Sequence, residues 1–268
     1  MPDHRPSKRF GQNFLNDANI VGKIVDAIDP QPGEPLVEIG PGRGALTRAL
    51  LERVDRLDAV EVDRDLAPEL ETLATTGELT VHVADALAFD FAALGKARGG
   101  PLRVVGNLPY NISSPLLFHL FSQLPAMVDM HFMLQREVVE RLAAQPGSKT
   151  YGRLSVMVQT QCQVTPLFQV PPGAFYPEPK VTSAMVRLRP NPADAPRPRD
   201  QAAFSAVVAR AFQARRKTLR NALKGLCGPE RIGAAGIDPG ARAETLSVAD
   251  YIRLADNACG SSEPEKES

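Results

Sequence analysis

The segment Asn107-Leu108-Pro109-Tyr110 follows directly after the apolar run 102–106 and combines groups that could hold a nitrogen base. Proline fixes its own φ and keeps the preceding residue extended, so the Leu108 carbonyl is expected to stay outside any helix. Together with the Asn107 side-chain oxygen, that carbonyl could accept both hydrogens of one amino group. The Tyr110 ring could stack on the base, a contact worth about 1–3 kcal/mol. The segment therefore predicts methylation of an exocyclic amine, with a simple turn after a strand as the alternative.

A glycine-rich turn over residues 40–44 follows the predicted strand Leu36–Ile39 and precedes a helical pattern. Glycine lets the backbone turn sharply and approach a ligand closely, as in nucleotide-binding folds. The spacing Gly-x-Gly-x-Gly differs from the Gly-x-Gly-x-x-Gly pattern of a pyrophosphate site. Glu38 stands two residues before Gly40, where a carboxylate suits a cationic cofactor such as S-adenosylmethionine and would repel a pyrophosphate. A solvated acid is the alternative for Glu38, and a nicotinamide-dependent dehydrogenase is the remote alternative for the turn.

Two further acids are predicted at the ends of the next strands. Glu61 lies 21 residues after Gly40 and could accept hydrogen bonds from both hydroxyls of a ribose. Asp85 follows the strand after that and could accept a hydrogen bond from an adenine amino group. Because open α/β sheets bind ligands at the carboxyl ends of their strands, we expect Gly40, Glu61 and Asp85 to line one site.

Short apolar runs alternate with helical patterns from about residue 16 to residue 187, which is typical of βαβ units in an α/β fold with a mainly parallel sheet. The predicted strands are Leu36–Ile39, Leu57–Val62, Leu79–Val83, Leu102–Gly106, Met127–Leu134, Leu154–Val164 and Val181–Leu188. The predicted helices cover residues 17–28, 44–53, 64–74, 113–123 and 136–144. The last two strands are close in sequence, so an antiparallel hairpin is expected at the sheet edge.

The proline-rich run 190–198 suits neither a helix nor a central strand and predicts a domain boundary. We therefore expect an S-adenosylmethionine-binding α/β domain over residues 1–190, a linker over 191–199 and a small all-α domain over 200–258. Residues 259–268 are polar and acidic, which is typical of a disordered tail.

The 268 residues carry no net charge, but the charge is unevenly distributed. Residues 50–90 contain eleven acidic and three basic residues, whereas residues 197–224 contain eight basic residues and one acidic residue. In the second region Leu219, Leu223 and Leu226 recur at helical spacing and predict a helix with an apolar stripe. The basic residues that could follow nucleic-acid phosphates there are Arg215, Arg216, Lys217, Arg220 and Lys224. A solvated amphipathic helix is the alternative.

Cysteine and histidine spacings favour neither a metal site nor a disulfide framework. Cys162, Cys227 and Cys259 are far apart and odd in number, and the four histidines show no ligand pairing. No apolar run approaches the roughly 18 residues of a membrane span. Residues Met1–Phe10 lack the apolar core of a secretory signal. We therefore expect a cytoplasmic protein with no metal and no membrane partner.

The motifs occur in an order that resembles the ribosomal RNA adenine dimethyltransferases, in particular the bacterial branch that dimethylates two adjacent adenosines near the 3′ end of 16S rRNA. The resemblance is carried by Phe10–Leu15, Glu38–Gly44, Glu61, Asp85–Ala86, Asn107–Tyr110, Tyr151–Val156 and Pro171–Val181. It covers roughly residues 8–255. It implies a Rossmann-like methyltransferase sheet, S-adenosylmethionine as cofactor, and 16S rRNA in the small (30S) ribosomal subunit or its precursor as partner.

The resemblance also implies roles for individual residues. The implied cofactor-binding set is Asn13, Leu15, Gly40, Glu61, Asp85 and Asn107. Asn13 and Leu15 would close over the methionine end of the cofactor, and Asn107 would also touch the target base. Phe175 would flank the flipped base opposite Tyr110, although a core aromatic is the alternative for Phe175. The helical domain would help to dock the enzyme on the ribosomal subunit.

Other functions stay open at this point. A relative acting on 23S rRNA or on DNA would carry the same catalytic motif, and a ribosome-assembly or RNA-binding factor could retain catalysis incidentally. The set Asn107, Glu61 and Asp85 favours an active enzyme, while the segment 174–181 and the helical domain favour the small subunit. A monomer is expected.

Overall fold

A computed structural model of the chain describes residues 13–74 and 77–258. Phe10, Gly11 and Gln12 of the quoted motif, and the tail predicted over 259–268, lie outside the described residues. The strands are β1 (Phe14–Leu15), β2 (Leu36–Ile39), β3 (Arg56–Glu61), β4 (Glu78–Val83), β5 (Leu102–Asn107), β6 (Met127–Gln135), β7 (Cys162–Val170), β8 (Phe175–Tyr176) and β9 (Ser183–Pro190). The helices are α1 (Ala18–Ile28), α2 (Ala45–Leu51), α3 (Ala67–Glu71), α4 (Phe91–Ala97), α5 (Ser113–Phe121), α6 (Arg136–Leu142), α7 (Arg153–Gln159), α8 (Gln201–Gln213), α9 (Leu219–Ala222), α10 (Pro229–Ala234) and α11 (Val248–Ala258).

Seven strands form one sheet in the order β4-β3-β2-β5-β6-β9-β7. The pairs β2–β3, β2–β5, β3–β4 and β5–β6 are parallel, while β9 is antiparallel to β6. Parallel strands joined by helices are covered on both faces, and Val104 and Val105 of β5 are accordingly fully buried. The prediction of an α/β fold with a mainly parallel sheet and an antiparallel edge is confirmed.

Helix α1 illustrates how a local sequence pattern produces an element of this fold. The Asp17 carboxylate accepts hydrogen bonds from the backbone N–H groups of Asn19 and Ile20, at 2.9 and 3.2 Å, and so caps the helix. Residues three and four apart then form its buried face: Val21, Ile24, Val25 and Ile28. None of the described helices is long and apolar enough to cross a membrane.

The strand predicted over 154–164 is wrong, because residues Arg153–Gln159 form helix α7 and β7 begins only at Cys162. Four consecutive buried residues, 155–158, give the apolar run that is typical of a buried strand. Ser155 instead supports a helix start. Its hydroxyl accepts a hydrogen bond from the Gly152 N–H at 3.0 Å and donates to the Arg141 carbonyl at 2.6 Å. A backbone donor at the helix start is thereby satisfied.

The chain divides into two compact units whose boundaries differ in part from the predicted domains. The first ends at Val139 and resumes over Val164–Pro190, and the second comprises Glu140–Gln163 and the chain from Asn191 onward. Residues 140–163 were expected in the first domain. They belong to the second unit because they share a buried core with the C-terminal helices, whose members include Tyr151, Val156, Phe204 and Tyr251.

The basic segment of the second unit is not the continuous helix that the spacing of Leu219, Leu223 and Leu226 predicts. Only Leu219–Ala222 is helical, because the backbone donors at its start pair outside the helix. The N–H of Leu219 donates to the Ala241 carbonyl at 2.8 Å, and that of Arg220 donates to the Pro239 carbonyl at 3.0 Å. Leu219 and Leu223 are buried, but Leu226 is 42% exposed, so the predicted apolar stripe is realised only in part.

Candidate active site

A cavity of about 330 Å³ lies at the carboxyl ends of β2, β3, β4 and β5. The strand order reverses here, since β3 and β4 lie on one side of β2 whereas β5 and β6 lie on the other. Ligands of open α/β sheets bind at such a reversal. The cavity is lined by all the residues predicted to bind cofactor or to act in catalysis: Asn13, Leu15, Gly40, Glu61, Asp85, Asn107, Leu108 and Tyr110.

The glycine turn lines the cavity, and one of its glycines has no room for a side chain. Gly42 has a φ of 57°, and a Cβ at this position would stand 2.9 Å from the Phe14 ring. Its N–H donates a hydrogen bond to a carboxylate oxygen of Glu61 at 3.1 Å. Both the left-handed conformation and the nearby ring therefore require glycine.

The two predicted acids are held by backbone hydrogen bonds. One Glu61 oxygen accepts from Gly42, and the other accepts from the Asp63 N–H at 2.9 Å. Burial raises the pKa of Glu61. Each carboxylate oxygen can accept more than one hydrogen bond, so Glu61 keeps capacity for ligand hydroxyls. Asp85 is exposed, and its side chain is fixed by the Leu87 N–H at 2.9 Å.

Glu38 also lines the cavity, where it is only 2% exposed and accepts a hydrogen bond from the Thr47 hydroxyl at 2.6 Å. Its pKa is raised to about 7, chiefly by burial and also by the nearby charge of Glu61, against the lowering effect of the Thr47 hydrogen bond. The alternative of a solvated acid is therefore wrong. A buried carboxyl of this kind favours a ligand that brings positive charge. Among the described residues, no cluster of His, Cys, Asp and Glu could hold a metal ion.

Asn107 and Leu108 line the cavity, and each has one hydrogen-bond acceptor that bears on the predicted chemistry. The side-chain nitrogen of Asn107 donates to the Asn13 carbonyl at 2.9 Å, which leaves the amide oxygen without a partner among the described residues. The Leu108 N–H donates to the Met133 carbonyl at 3.2 Å, and no described residue donates to the Leu108 carbonyl. The described residues thus leave both acceptors without a donor, and their binding of one amino group stays a prediction.

Tyr110 is anchored at the same end of β5. Its hydroxyl shares a hydrogen bond of 2.7 Å with the Ser183 hydroxyl, which is fully buried. Burial raises the pKa of Tyr110, so the phenol is neutral at physiological pH. The fixed hydroxyl holds the ring in the cavity wall, where it could stack on a base.

Several cavity residues were not predicted as site residues, and they include His131, Met133 and Met185. His131 and Met133 alternate along β6 and therefore point to the same face. The register places Met133 beside Asn107 on one side and Met185 on the other. The alternation of residues along β6 is the sequence signal that His131 and Met133 share a face. It indicates that this face meets the cavity only once the strands that pair with β6 are known.

Phe175 is predicted to stack on the base, but the structure places it in the core, at 3% exposure and outside the cavity wall. The pairing of β8 with β1 sets Phe175 opposite Leu15, which accounts for this burial. Phe175 therefore occupies the position of a core aromatic, which is the alternative that the sequence analysis gives for it. Base stacking by Phe175 stays a prediction that rests on the resemblance.

The basic residues predicted to bind RNA differ in their surroundings. Arg215 donates hydrogen bonds to the Glu244 carboxylate at 2.6 Å and to the Lys149 carbonyl at 2.8 Å, so its guanidinium is engaged within the second unit. The remaining four are exposed: Arg216, Lys217, Arg220 and Lys224. RNA contact by these residues stays a prediction.

The fold and the cavity together are typical of an α/β enzyme that binds a nucleoside-containing cofactor at the carboxyl edge of its sheet. The chain belongs to the ribosomal RNA adenine dimethylase family, whose model matches residues 3–258. Membership confirms the expected adenine dimethyltransferase activity and S-adenosylmethionine as cofactor. The cavity fits this cofactor, because Glu38 offers negative charge, Glu61 offers acceptors for a ribose, and Gly40 leaves room along the turn.

Similar proteins agree with this assignment. Ribosomal RNA small subunit methyltransferase A of Aromatoleum aromaticum (strain DSM 19018 / LMG 30748 / EbN1) is 56% identical over 254 residues, which cover 95% of this chain and 94% of the relative. The protein of the same name from Escherichia coli (strain 55989 / EAEC) is 53% identical, with 99% and 97% covered. A dimethyladenosine transferase structure from Plasmodium falciparum has a TM-score of 0.77 at 25% identity, with 90% and 95% covered. The 23S rRNA methyltransferase ErmE has a TM-score of 0.71 at 26% identity, with 91% and 99% covered.

Proposed function

We propose that this enzyme dimethylates N6 of two adjacent adenosines near the 3′ end of 16S rRNA, in the small ribosomal subunit or its precursor. One observation carries the reaction: Asn107 and Leu108 line a cavity that fits S-adenosylmethionine, and neither the Asn107 amide oxygen nor the Leu108 carbonyl accepts a hydrogen bond from the described residues. The choice of the small subunit is supported by the names of relatives above 50% identity over nearly the whole chain.

The protein contributes mainly position and electrostatics to this reaction. S-adenosylmethionine supplies a methyl group on a sulfonium sulfur, which leaves as a neutral thioether. Adenine N6 is a poor nucleophile because its lone pair is delocalised into the ring. When Asn107 and Leu108 accept its two N–H bonds, they orient the amine and favour a tetrahedral nitrogen. The methylated nitrogen then loses a proton to water, so the chain need not supply a general base.

The second methyl transfer requires room for an amine that already carries one methyl group. Such an amine has one N–H left, so one of the two acceptors is sufficient to orient it. Met133 and Met185 lie in register with Asn107 and line the cavity. Their flexible, apolar side chains can adapt to an added methyl group.

A 23S rRNA substrate is the second candidate, and the similarity in fold to ErmE favours it. The identity to that protein is 26%, compared with 53–56% for the small-subunit relatives. The second compact unit, which carries the exposed basic residues, suits either ribosomal subunit. Substrate RNA must therefore be identified directly.

The substrate test is incubation of the full chain with labelled S-adenosylmethionine and unmethylated small ribosomal subunits, followed by mapping of the modified nucleotides. We expect label in N6,N6-dimethyladenosine at two adjacent positions near the 3′ end of 16S rRNA. Large subunits and duplex DNA are the matched controls and should remain unlabelled. Label confined to 23S rRNA or to DNA would contradict the proposed substrate, although it would still agree with the proposed methyl-transfer reaction.

The role of Asn107 is tested by Asn107→Ala. We expect methyl transfer to fall by more than 100-fold, because one of the two acceptors for N6 is lost, while adenosylhomocysteine binding weakens by less than about tenfold. The matched control is Asn257→Ala, at an exposed position of α11 outside the cavity. Turnover of Asn107→Ala close to that of the control would exclude Asn107 from the transfer step.

A further inference from the structure

His131 is a buried polar residue that the proposed mechanism does not use. Its side chain is 1% exposed and lines the cavity, and neither ring nitrogen has a hydrogen-bond partner in the described part of the chain. Nδ1 lies 3.6 Å from an Asp129 oxygen, which is beyond hydrogen-bond distance. That carboxylate is already bound by Arg103, at 3.0 and 3.1 Å. Burying an unpaired polar group is unfavourable, so a partner is expected inside the cavity.

The strand register fixes the depth of His131 in the cavity. Glu38 of β2 stands opposite Val105 of β5, and Val105 stands opposite His131 of β6. Residues in one such row point to the same face of a sheet, so Glu38 and His131 face the same side at the same depth. Adjacent strands are about 4.8 Å apart, so β2 and β6 are separated by roughly 10 Å. The row that contains Asn107 lies two residues nearer the carboxyl edge.

The charges around His131 keep its ring neutral. The pKa of His131 is lowered to about 4, chiefly by burial and also by the charges of Arg103, Arg187 and Arg189, against the opposing effect of Asp129. A neutral imidazole offers one hydrogen-bond donor and one acceptor. It also does not repel a cation, unlike the protonated form.

We propose that His131 binds the amino-acid end of the methyl donor, with its unprotonated ring nitrogen accepting a hydrogen bond from the ammonium group. This assignment rests on the proposed function. The nucleoside end is accounted for by Glu61, the last residue of β3, and by Asp85, which follows β4; both strands lie on the side of β2 away from β5. The target amine is accounted for by Asn107 at the carboxyl edge. The amino-acid end of the cofactor, over which Asn13 and Leu15 would close, carries the ammonium group. The Glu38–His131 row is the deep polar part of the cavity available to that group.

The test compares two ligands that differ only in this end of the cofactor. Adenosylhomocysteine keeps the amino-acid group, whereas 5′-methylthioadenosine lacks it. In His131→Phe, which keeps an aromatic ring but has no ring nitrogen, we expect the affinity for adenosylhomocysteine to fall about tenfold. The affinity for methylthioadenosine should stay within twofold of wild type. His131→Gln restores a hydrogen-bonding group and should recover part of the lost affinity.

Steady-state kinetics provide a second readout, in which KM for S-adenosylmethionine rises in His131→Phe and kcat at saturation changes little. Met130→Leu is the packing control, because Met130 is fully buried on the same strand but lies outside the cavity wall. It should bind both ligands like wild type. Equal losses for the two ligands in His131→Phe, or no loss for adenosylhomocysteine, would overturn the assignment of His131. If the wild-type protein bound neither ligand, the proposed function itself would be contradicted.

Discussion

The carboxyl of Glu38 shows how burial can prepare a site for a charged ligand. It has a hydroxyl partner in Thr47 but no cationic partner among the described residues, and its pKa is raised from 4.5 to about 7. The folded state therefore binds this proton more tightly than the unfolded state. The free energy of unfolding must then decrease as the pH rises from about 4.5 to about 7. A bound cation reverses this effect by favouring the ionised carboxylate.

Glu38→Gln tests this linkage in the ligand-free protein. The amide can still accept from the Thr47 hydroxyl but does not ionise. The variant should be more stable than wild type at pH 8, by on the order of 3 kcal/mol, and similar to wild type below pH 4.5. Urea unfolding between pH 4.5 and pH 8 measures the difference. Glu52→Gln, at an exposed position after α2, is the control and should follow the wild-type curve.

Tyr110 offers a ring and a hydroxyl, and two substitutions separate their contributions. Tyr110→Ala removes the ring and should lower kcat/KM on RNA by about 5- to 150-fold, which corresponds to a stacking contribution of about 1–3 kcal/mol. Tyr110→Phe keeps the ring and loses only the hydrogen bond to Ser183, so its kcat/KM should stay within a few-fold of wild type. Equal losses in both variants would assign the effect to the hydrogen bond rather than to stacking.

At the scale of elements, the close approach of β2 and β5 positions Asn107. A Cβ added at Gly106 would stand 2.5 Å from the Ile39 carbonyl oxygen, so the two strands would have to separate. Gly106→Ala should lower the unfolding free energy by about 1–3 kcal/mol and should displace Asn107. In contrast, Gly22→Ala, in α1 with open space around the new methyl group, should stabilise the protein slightly. Urea unfolding of both variants measures the two changes in unfolding free energy, which should have opposite signs. Methyl-transfer assays on both variants show whether Asn107 has been displaced.

The central strands and the residues at their ends were predictable because both follow from short-range patterns. β2, β3, β4, β5 and β6 lie within one residue of the predicted bounds at each end. A βαβ arrangement then requires the carboxyl ends of the strands to meet at one edge. Gly40, Glu61, Asp85 and Asn107 consequently reach the same cavity.

The features that could not be predicted depend on contacts between distant parts of the chain. The apolar run 155–158 suits a buried strand as well as a buried helix, and Ser155 decides the outcome through its bond to Arg141. Phe175 is buried because β8 pairs with β1, some 160 residues earlier in the chain. His131 enters the cavity through the pairing of β6 with β5, which local periodicity does not reveal.

At the scale of the whole molecule, the residues proposed for cofactor binding and those proposed for RNA docking lie in different compact units. The residues that line the cavity all belong to the first unit, whereas the exposed basic residues at 216, 217, 220 and 224 belong to the second. Substitutions in the two units that share no partners should act independently. Cofactor binding and RNA docking should therefore be separable by mutation.

The double variant Arg216→Glu with Arg220→Glu tests that separation. We expect weaker binding to small ribosomal subunits and unchanged affinity for adenosylhomocysteine. Because each lost phosphate contact removes about one from the slope of log affinity against log salt, the slope should fall by about 2. The control carries the same change in net charge at exposed positions of the first unit, as Arg48→Glu with Lys96→Glu. If both double variants weakened subunit binding equally, the effect would come from net charge, and the basic residues of the second unit would have no specific role in docking.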